Sequence, residues 1–527
     1  MMKMKTWKSG MAVEHRRSTW PRWLIAAALA SSALMAPQAQ AITGPQAESG
    51  ALSFTAKLEI GTGDAARACS GTLVAPDWVL TASSCFSSDF RNDFAIPTGK
   101  PSMKAMAVIG RADLTASGGH AAEVVNLVPY AGRDLVMAQL AAPAKGLAPV
   151  PVATTAPVSG ETLKVAGYGR TKTSWVPDRI HTADFTLDML SGSSLRTSGR
   201  TAEDSICKGD AGGPALRRNG DQYELVAVNN RAWQGGCLGE TETRNSALAN
   251  RVDDVQSWIQ QVRLTSLVDH VSEVMTTGDF DEDGRLDVVA VLDDGSLHVF
   301  SGRPDGTLQY GRELWHDNGW GDIGKLIGGD FNGDGHADIA AISARGALVL
   351  YPGTGPGGKL GAGRPMWKDN TWSSARPVTR YKVDGSGRDG LALQADDGAL
   401  YGYPSRPDGV LTGQRLNLWH DKTWNKRLIA AGDLNGDTYD DVIAVAADGK
   451  LHLYPGNARH TLGGARLLWH DSSWKGMRHV LAGDFDGDGK GDLLGRVGTG
   501  GLYWYAGDDA GTIAPGRLMW PTSVVKS

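Results

Sequence analysis

The chain has 527 residues, of which 69 are glycine, and a formal net charge of −5 at pH 7. This length suggests two or three domains, and abundant glycine with few helix-period runs favours an all-β protein rich in turns. Because no basic stripe accompanies the negative net charge, nucleic acid is excluded as the expected partner.

The first 41 residues have the features of an export signal, and we assign residues 1–41 to it. A basic stretch ending at Arg22 precedes an apolar run from Trp23 to Met35, and the small-x-small sequence Ala39-Gln40-Ala41 follows. The apolar run is too short to span a bilayer, and no second apolar segment follows it. We therefore expect cleavage after Ala41 and a secreted, extracellular protein with no membrane span; a membrane anchor is the alternative.

The cysteine content agrees with export, since disulfides persist outside the cytosol. Cys69, Cys85, Cys207 and Cys237 allow three pairings, and the sequence alone does not choose among them. Two disulfides are expected, with their pairing open at this point.

Three short segments of the N-terminal half bear on whether it is catalytic. Ser84 ends a Leu-Thr-Ala-Ser-Ser run, Asp134 opens Asp-Leu-Val-Met-Ala-Gln-Leu, and Ala211 lies inside Lys-Gly-Asp-Ala-Gly-Gly-Pro. An alanine methyl cannot attack a carbonyl, and a serine hydroxyl cannot act as a base near pH 7. These residues therefore predict a function in binding.

The same segments resemble the histidine, aspartate and serine segments of trypsin-like serine proteases, with serine and alanine at two of the three positions. Cys69-Ser70-Gly71-Thr72-Leu73-Val74 and Ala166-Gly167-Tyr168-Gly169 add to the resemblance, which covers residues 42–263. It implies a double β-barrel without peptidase activity. The other histidines of this half, His120 and His181, lie in segments that do not match, and the strand ending in Asn229-Asn230-Arg231 lacks the usual substrate-pairing run.

The resemblance also implies roles for individual residues. It pairs Cys69 with Cys85 and Cys207 with Cys237. It places the ammonium of a freed Ile42 beside Asp210, as a buried ion pair. An intact cleft without chemistry is suited to holding a partner protein, and the residues expected to line it are Ser84, Asp134, Ala211, Asn230 and Arg231.

The C-terminal half repeats one unit five times. Its acidic loops begin at Asp279, Asp330, Lys382, Asp433 and Asp484, which are 51 or 52 residues apart. About four short strands per unit match a propeller blade, so residues 271–527 are predicted to form a five-bladed β-propeller after a linker at 264–270. A linear solenoid is the alternative. We expect a first strand, residues 271–276, to complete the last blade and close the ring.

Four of the five acidic loops follow Asp-x-(Asp/Asn)-x-Asp with a further Asp four residues on. Alternate carboxylates on a tight turn suit calcium, which we expect as a structural ion, and metal-free turns are the alternative. The expected ligands are Asp279, Asp281, Asp283, Asp287, Asp330, Asn332, Asp334, Asp338, Asp433, Asn435, Asp437, Asp441, Asp484, Asp486, Asp488 and Asp492. The third loop, with Lys382, Asp384, Ser386 and Gly390, is expected to bind no ion.

Paired tryptophans recur in the units. We expect the first of each pair (Trp315, Trp367, Trp419, Trp469 and Trp520) to pack between blades. The second follows a polar loop, and its exposed face would stack on a sugar ring whose hydroxyls bond to neighbouring His-Asp pairs; core packing is the alternative. The expected carbohydrate-binding residues are Trp320, Trp372, Trp424, Trp474, His316, Asp317, His420 and Asp421.

The acidic loops and Leu-Tyr-Pro-Gly strands resemble FG-GAP-type repeats, and the five units resemble tachylectin-like lectins. An emptied trypsin fold joined to such a propeller is similar to the trypsin-like lectin subunits of actinobacterial umbrella toxin particles. That resemblance implies that the cleft docks a secreted adaptor protein and that the propeller binds cell-surface glycans. The alternatives are a secreted trypsin-like serine peptidase with an FG-GAP repeat domain, or a free monomeric adhesin.

Overall fold

The computed structural model describes residues 50, 52–89, 94–498 and 500–520. The predicted export signal and Ile42 lie outside the described residues. No helix within these ranges is long and apolar enough to span a bilayer.

The N-terminal half forms two closed six-stranded β-barrels. The first, in the order β1-β2-β3-β6-β5-β4, consists of β1 (Thr55–Ile60), β2 (Arg67–Ala75), β3 (Trp78–Thr81), β4 (Ala105–Ile109), β5 (His120–Pro129) and β6 (Val136–Leu140). The second, in the order β10-β11-β12-β9-β8-β7, consists of β7 (Thr162–Gly167), β8 (His181–Ser191), β9 (Ser194–Gly199), β10 (Pro214–Asn219), β11 (Gln222–Ala232) and β12 (Ser246–Arg251). Because neighbouring strands are antiparallel and each barrel is closed, no edge strand is left unpaired.

A shared apolar layer joins the two barrels. Met137 of β6 and Leu216 of β10 belong to one buried cluster, which also contains Ile259 and Val262 of helix α1 (Gln256–Val268). Single 3₁₀ turns lie at Gly63–Ala65, Ser83–Cys85, Asp253–Val255 and Ser473–Gly476. The barrels therefore pack as one trypsin-like unit.

The C-terminal half forms five four-stranded antiparallel sheets, each continuous in sequence. Blade 1 contains β13 (Val271–Gly278), β14 (Asp287–Leu292), β15 (Leu297–Gly302) and β16 (Leu308–Glu313). Blade 2 contains β17 (Ile323–Gly329), β18 (Asp338–Ser343), β19 (Leu348–Tyr351) and β20 (Arg364–Pro365). Blade 3 contains β21 (Val378–Tyr381), β22 (Gly390–Gln394), β23 (Leu400–Tyr403) and β24 (Leu416–Asn417). Blade 4 contains β25 (Leu428–Gly432), β26 (Asp441–Val445), β27 (Leu451–Tyr454) and β28 (Arg466–Trp469), and blade 5 contains β29 (Met477–Gly483), β30 (Asp492–Val497), β31 (Leu502–Tyr505) and β32 (Arg517–Trp520).

The predicted closing strand is wrong. Strand β13 pairs with β14 in blade 1, with Thr276 opposite Val289, and adds no strand to blade 5. Side chains close the ring instead: Trp520 is fully buried, and its ring centroid lies 5.4 Å from that of Phe300 in blade 1. Arg496 of blade 5 also donates hydrogen bonds to backbone carbonyls at the start of β13.

Helix α1 connects the two halves without a free linker. Residues 264–268, which the sequence analysis placed in a linker, are helical, and Leu264 and Val268 are buried in the apolar cluster that joins blades 1 and 5. Trp78 of the first barrel donates through Nε1 to Ser266 Oγ at 3.3 Å. The guanidinium of Arg263 lies 4.1 Å from the ring centroid of Tyr310 in β16.

Candidate functional site

Ser84 and Asp134 are in direct contact. The buried Asp134 carboxylate accepts hydrogen bonds from the Ser84 backbone N–H at 2.7 Å and from Ser84 Oγ at 2.8 Å. Asn250 Nδ2 holds the Asp134 backbone carbonyl at 3.1 Å. Burial raises the pKa of Asp134, and the two hydrogen bonds from Ser84 together with the charge of Arg231 oppose the rise. The serine hydroxyl is therefore hydrogen-bonded to the carboxylate. In a proton relay that carboxylate would orient a histidine.

Ala211 lies in a loop whose backbone is tightly held. Its carbonyl accepts a hydrogen bond from Ser70 N at 2.9 Å, and Gly212 N donates to Asn229 O at 2.7 Å. Gly212 has φ +84°, and a Cβ there would lie 2.0 Å from Thr81 Oγ1. The loop therefore keeps its shape through glycine, whatever the residue at position 211.

Asp210 is fully buried under the same loop. Its carboxylate accepts hydrogen bonds from Gly169 N at 2.8 Å and Cys207 N at 2.9 Å. A Cβ on Gly167 or Gly169 would come within 2.6 Å of that carboxylate, so both glycines make room for it. Burial raises the pKa of Asp210 to about 7, against the pull of the two N–H donors. Within the described ranges no cationic side chain forms an ion pair with Asp210, and its predicted partner Ile42 lies outside them.

A bulge in β11 shapes one wall of this region. The pairing of β11 with β12 shifts register between Asn229 and Arg231, which leaves Asn230 out of the ladder. Arg231 is exposed, and its charge acts on Asp134. The structure thus brings Arg231 close enough to Asp134 for electrostatic interaction.

Both implied disulfides form. Cys69 is bonded to Cys85 and Cys207 to Cys237. The first attaches β2 to the turn that carries Ser84, and the second anchors the segment that leads to Asp210 and Ala211. The bonds fix the two ends of the altered site.

Two of the acidic loops in the propeller assemble carboxylates. Ligand oxygens of Asp279, Asp281 and Asp283 lie within 4.8 Å of one another, and so do those of Asp484, Asp486 and Asp492. Oδ1 of Asp281 is buried and has no hydrogen-bond partner among the described residues. A hard cation held by carboxylate oxygens fits this arrangement, and calcium would supply charge neutralisation there. In the second and fourth loops asparagine replaces the second carboxylate, and ion binding there stays a prediction.

The last aspartate of each intact loop has a structural role that the sequence analysis missed. Asp287 accepts hydrogen bonds from Phe280 N at 2.9 Å, in the loop, and from Gly302 N at 3.1 Å, at the end of the third strand. The same pair of bonds recurs at Asp338, Asp441 and Asp492. Burial, followed by the neighbouring Asp281, raises the pKa of Asp287 to about 7. The repeat of an Asp at the first position of the second strand was the available signal.

The third loop lacks the aspartate pattern of the others, and an ion-pair network lies beside it. Arg380 lies between Asp389 at 3.2 Å and Asp440 at 3.1 Å, and Lys382 N donates to Asp440 at 2.8 Å. Burial raises the pKa of Asp389, and the nearby Arg380 opposes that rise. The Arg380 guanidinium therefore compensates the negative charge of these aspartates.

The expected exposure of the second tryptophans is wrong. These side chains are at most 5 % exposed, because each packs against a tyrosine of the following blade, with ring centroids 4.6–5.3 Å apart. The tryptophans in question are Trp320, Trp372, Trp424 and Trp474. They cannot offer a face to a sugar.

The first tryptophans pack between blades, as expected, and four of them stay partly accessible. Each of these four contacts the tyrosine of the following blade, with ring centroids 5.3–6.0 Å apart. Trp315, Trp367, Trp419 and Trp469 are half-buried, whereas Trp520 is buried. The Trp315 ring lies 4.5 Å from His316, and the Trp419 ring lies 4.3 Å from His420. The side chains of His316, Asp317, His420 and Asp421 are 43–68 % exposed. We call Trp315, Trp419 and Trp469 with their adjacent His-Asp pairs, together with Trp367 and the adjacent Lys368 and Asp369, the rim platforms.

Comparisons with known proteins agree with this architecture. Residues 41–259 match the family described as Trypsin, and residues 279–341 and 433–495 match the FG-GAP-like repeat. One similar protein is snake venom serine protease 5 from Trimeresurus stejnegeri. It is 24 % identical over 212 residues, which cover 37 % of this chain and 77 % of that protein.

We predict that the stability of the trypsin-like domain depends on whether the chain begins at Ile42 or at an extra residue before it. In a chain with one extra residue there, Asp210 would keep its raised pKa, so its stabilising contribution is present below about pH 4 and is lost as the pH rises through about 7. A chain beginning at Ile42 would place an ammonium beside the carboxylate and lower that pKa. Calorimetric melts from about pH 5 to about pH 8 should show the extended chain losing several degrees relative to the mature chain. Asp210→Asn in the extended chain should remove the difference between the two chains in how the melting temperature changes with pH. Identical profiles of melting temperature against pH for the mature and extended chains would contradict the pairing of Ile42 with Asp210.

We predict that calcium stabilises the propeller through the first and fifth loops. A ligand that binds only the folded state adds about 2.7 kcal/mol at about 100 times its Kd. Thermal melts of the whole chain in calcium and in chelator should differ by several degrees. Asp281→Asn and Asp486→Asn should each reduce the difference, whereas Asp408→Asn, in an exposed turn outside the loops, should not. Equal melts of the wild-type chain in the two buffers would rule out a structural calcium ion.

Proposed function

We propose that this chain, a trypsin-like domain followed by FG-GAP repeats in a five-bladed β-propeller, is a secreted, non-catalytic binding protein. In this proposal the altered cleft holds a secreted adaptor protein and the propeller binds cell-surface glycans, as a lectin subunit of a multi-protein antibacterial toxin particle. The observation that carries it is the contact between Ser84 and Asp134 in a domain whose nucleophile position is Ala211. Two disulfides and the export-type N-terminus support secretion.

The chemistry of the site supports a non-catalytic role. Acyl transfer by this fold needs a nucleophile activated by a general base, and the base must be oriented by the aspartate. Here position 211 carries a methyl group that cannot act as a nucleophile, and the Asp134 carboxylate is hydrogen-bonded to Ser84. Losing either member of such a unit lowers the rate by about a millionfold.

The backbone of the site supports a binding role. Gly209 and Gly212, the Asp210 carboxylate and both disulfides hold the loop in place without a catalytic group. A groove already in its bound shape loses little entropy when a partner binds. The occupant we propose is an extended segment of the adaptor, lying across Ser84, Asp134 and Ala211. Its recognition would include the exposed guanidinium of Arg231 and the bulged Asn230, which favours an acidic or carbonyl-rich segment.

We predict that filling this groove releases the adaptor. Ala211→Trp should abolish co-purification of a large complex from the culture supernatant of the native producer. Because Ala211 packs against the first-barrel core, the exposed Arg231→Glu is a second variant, and we expect it to weaken binding at least about tenfold by reversing a charge. The matched control is Ala202→Trp, on an exposed loop of the same domain.

Retention of the complex by both variants would place the docking surface elsewhere. Elution of the wild type alone would favour the free adhesin. The match to the Trypsin family favours a serine peptidase as the second candidate, and labelling of residues 42–263 by a covalent serine-hydrolase probe would support it.

The glycan proposal rests on the rim platforms. A partly exposed indole beside a carboxylate and, at three of the four positions, an imidazole can stack on the apolar face of a sugar and bond its hydroxyls. Four such platforms around one ring would give avidity from weak single sites. The platforms replace the buried second tryptophans as the proposed contact.

We predict that Trp315→Ala and Trp419→Ala each reduce binding to a glycan array or to bacterial cell walls, and that the double variant reduces it further. Trp175→Ala, at a 60 % exposed tryptophan of the trypsin-like domain, is the control and should bind as the wild type does. Trp320→Ala should lower the melting temperature, since it leaves a cavity beside Tyr351. Unchanged glycan binding by the double variant would exclude the platforms.

A further inference from the structure

The channel at the centre of the propeller encloses a cavity of about 420 Å³. One strand from each blade lines it, namely β13, β17, β21, β25 and β29. A cavity of this size falls in the range of small-ligand sites, which is about 300–1,000 Å³.

Positive charge is concentrated at the end of the channel where these strands begin. Lys325, Arg427 and Arg478 lie there, and the only carboxylate among the lining residues is Glu273. Glu273 is 3.9 Å from Arg478, and both side chains are at least 60 % exposed, so solvent screens the pair. We call Lys325, Arg427, Arg478 and His479 the channel mouth.

Two of these cations are held in place by neutral groups. Lys325 Nζ donates one hydrogen bond, to the Arg376 carbonyl at 2.8 Å, although an ammonium has three donors. One terminal nitrogen of Arg427 donates to the Lys475 and Met477 carbonyls at 3.0 and 2.9 Å. Within the described ranges neither cation forms an ion pair. Their positions are fixed while their charges have no carboxylate partner.

The wall beside them adds a neutral imidazole. Burial, then the charges of Arg496 and Lys325, lowers the pKa of His479 to about 4. Burial also lowers the pKa of Lys325 to about 8, and a bound anion would oppose that shift. A neutral histidine at this point can donate or accept a hydrogen bond without adding charge.

The other end of the channel differs. Its cation, Arg380, already lies between Asp389 and Asp440. Gly328 N donates to Thr276 Oγ1 at 2.7 Å, which brings β13 and β17 close together there. An anion entering the channel would therefore be attracted to the mouth and not to the opposite end.

We propose that the channel mouth binds a small ligand carrying a carboxylate or a phosphate group. The anion would lie between the Lys325 ammonium and the Arg478 guanidinium, with the His479 imidazole beside it. This site is separate from the rim platforms and from the cleft of the trypsin-like domain, and it does not depend on the function proposed for either.

Titration calorimetry on the whole secreted chain at low salt tests this proposal. The probes are glucuronate and glycerol phosphate, and the neutral counterparts are glucose and glycerol. We expect at least one anion to bind while its counterpart does not, and we expect the affinity to fall as salt is added. Binding of glucuronate alone would identify a carboxylate ligand, and binding of glycerol phosphate alone would identify a phosphate ligand.

Variants assign the binding to the channel. Lys325→Met and the more exposed Arg478→Gln should each weaken the anion at least about tenfold, because each removes a charged hydrogen-bond donor. Arg459→Gln, at an exposed arginine away from the channel, should bind as the wild type does. The proposal is overturned if neither anion binds, if the neutral counterparts bind equally well, or if folded Lys325→Met and Arg478→Gln keep the wild-type affinity.

Discussion

Buried carboxylates that accept two backbone N–H groups hold the loops of both domains in place. In the trypsin-like domain Asp210 bonds to Gly169 and Cys207, and in the propeller Asp287 bonds to Phe280 and Gly302. Backbone donors that a loop buries must find acceptors, since an unpaired one costs about 1–3 kcal/mol. A carboxylate serves two donors at once, but it brings a negative charge into the interior, so each domain needs a compensating cation or a raised pKa.

The blades show three ways of meeting that need. The first and fifth loops gather carboxylates around a place where a cation fits. The third blade uses the guanidinium of Arg380 between two aspartates. The second and fourth loops lower the local negative charge by using Asn332 and Asn435, and Asn332 Nδ2 donates to the carboxylate of Asp334. The sequence differences between repeats therefore correspond to different ways of balancing the negative charge that the aspartates bring into each blade.

Local motifs made both folds predictable from sequence. Residues such as Gly212 and the acidic loops require a particular backbone within a few positions, so they identify a structure without knowledge of distant contacts. The ring closure was not predictable, because a repeat has no natural starting point and a blade can be counted from its loop or from its inner strand. The pairing of Thr276 with Val289 decides which strand begins a blade, and that pairing is seen only in the folded structure.

Tryptophan burial shows the same limit. Trp320 follows a polar loop, which favours exposure on local grounds, but Tyr351 of the next blade covers it. The channel mouth was missed for a related reason: Lys325, Arg427 and Arg478 stand in different repeats, and only the ring brings their strands together. The segments that carry Ser84, Asp134 and Ala211, in contrast, could be recognised from sequence because each is a short local motif.

Helix α1 fixes the trypsin-like domain and the propeller to one another. Its residues Ile259 and Val262 belong to the barrel core, and Leu264 and Val268 belong to the propeller core. Both cores would have to open for the helix to detach, whereas a flexible linker would let the domains reorient freely. In the proposed function, a partner in the cleft would therefore take a fixed orientation relative to the rim platforms. Fixed geometry would allow several weak glycan contacts to form together only on surfaces whose spacing matches the ring, so the rigid junction would add selectivity to avidity.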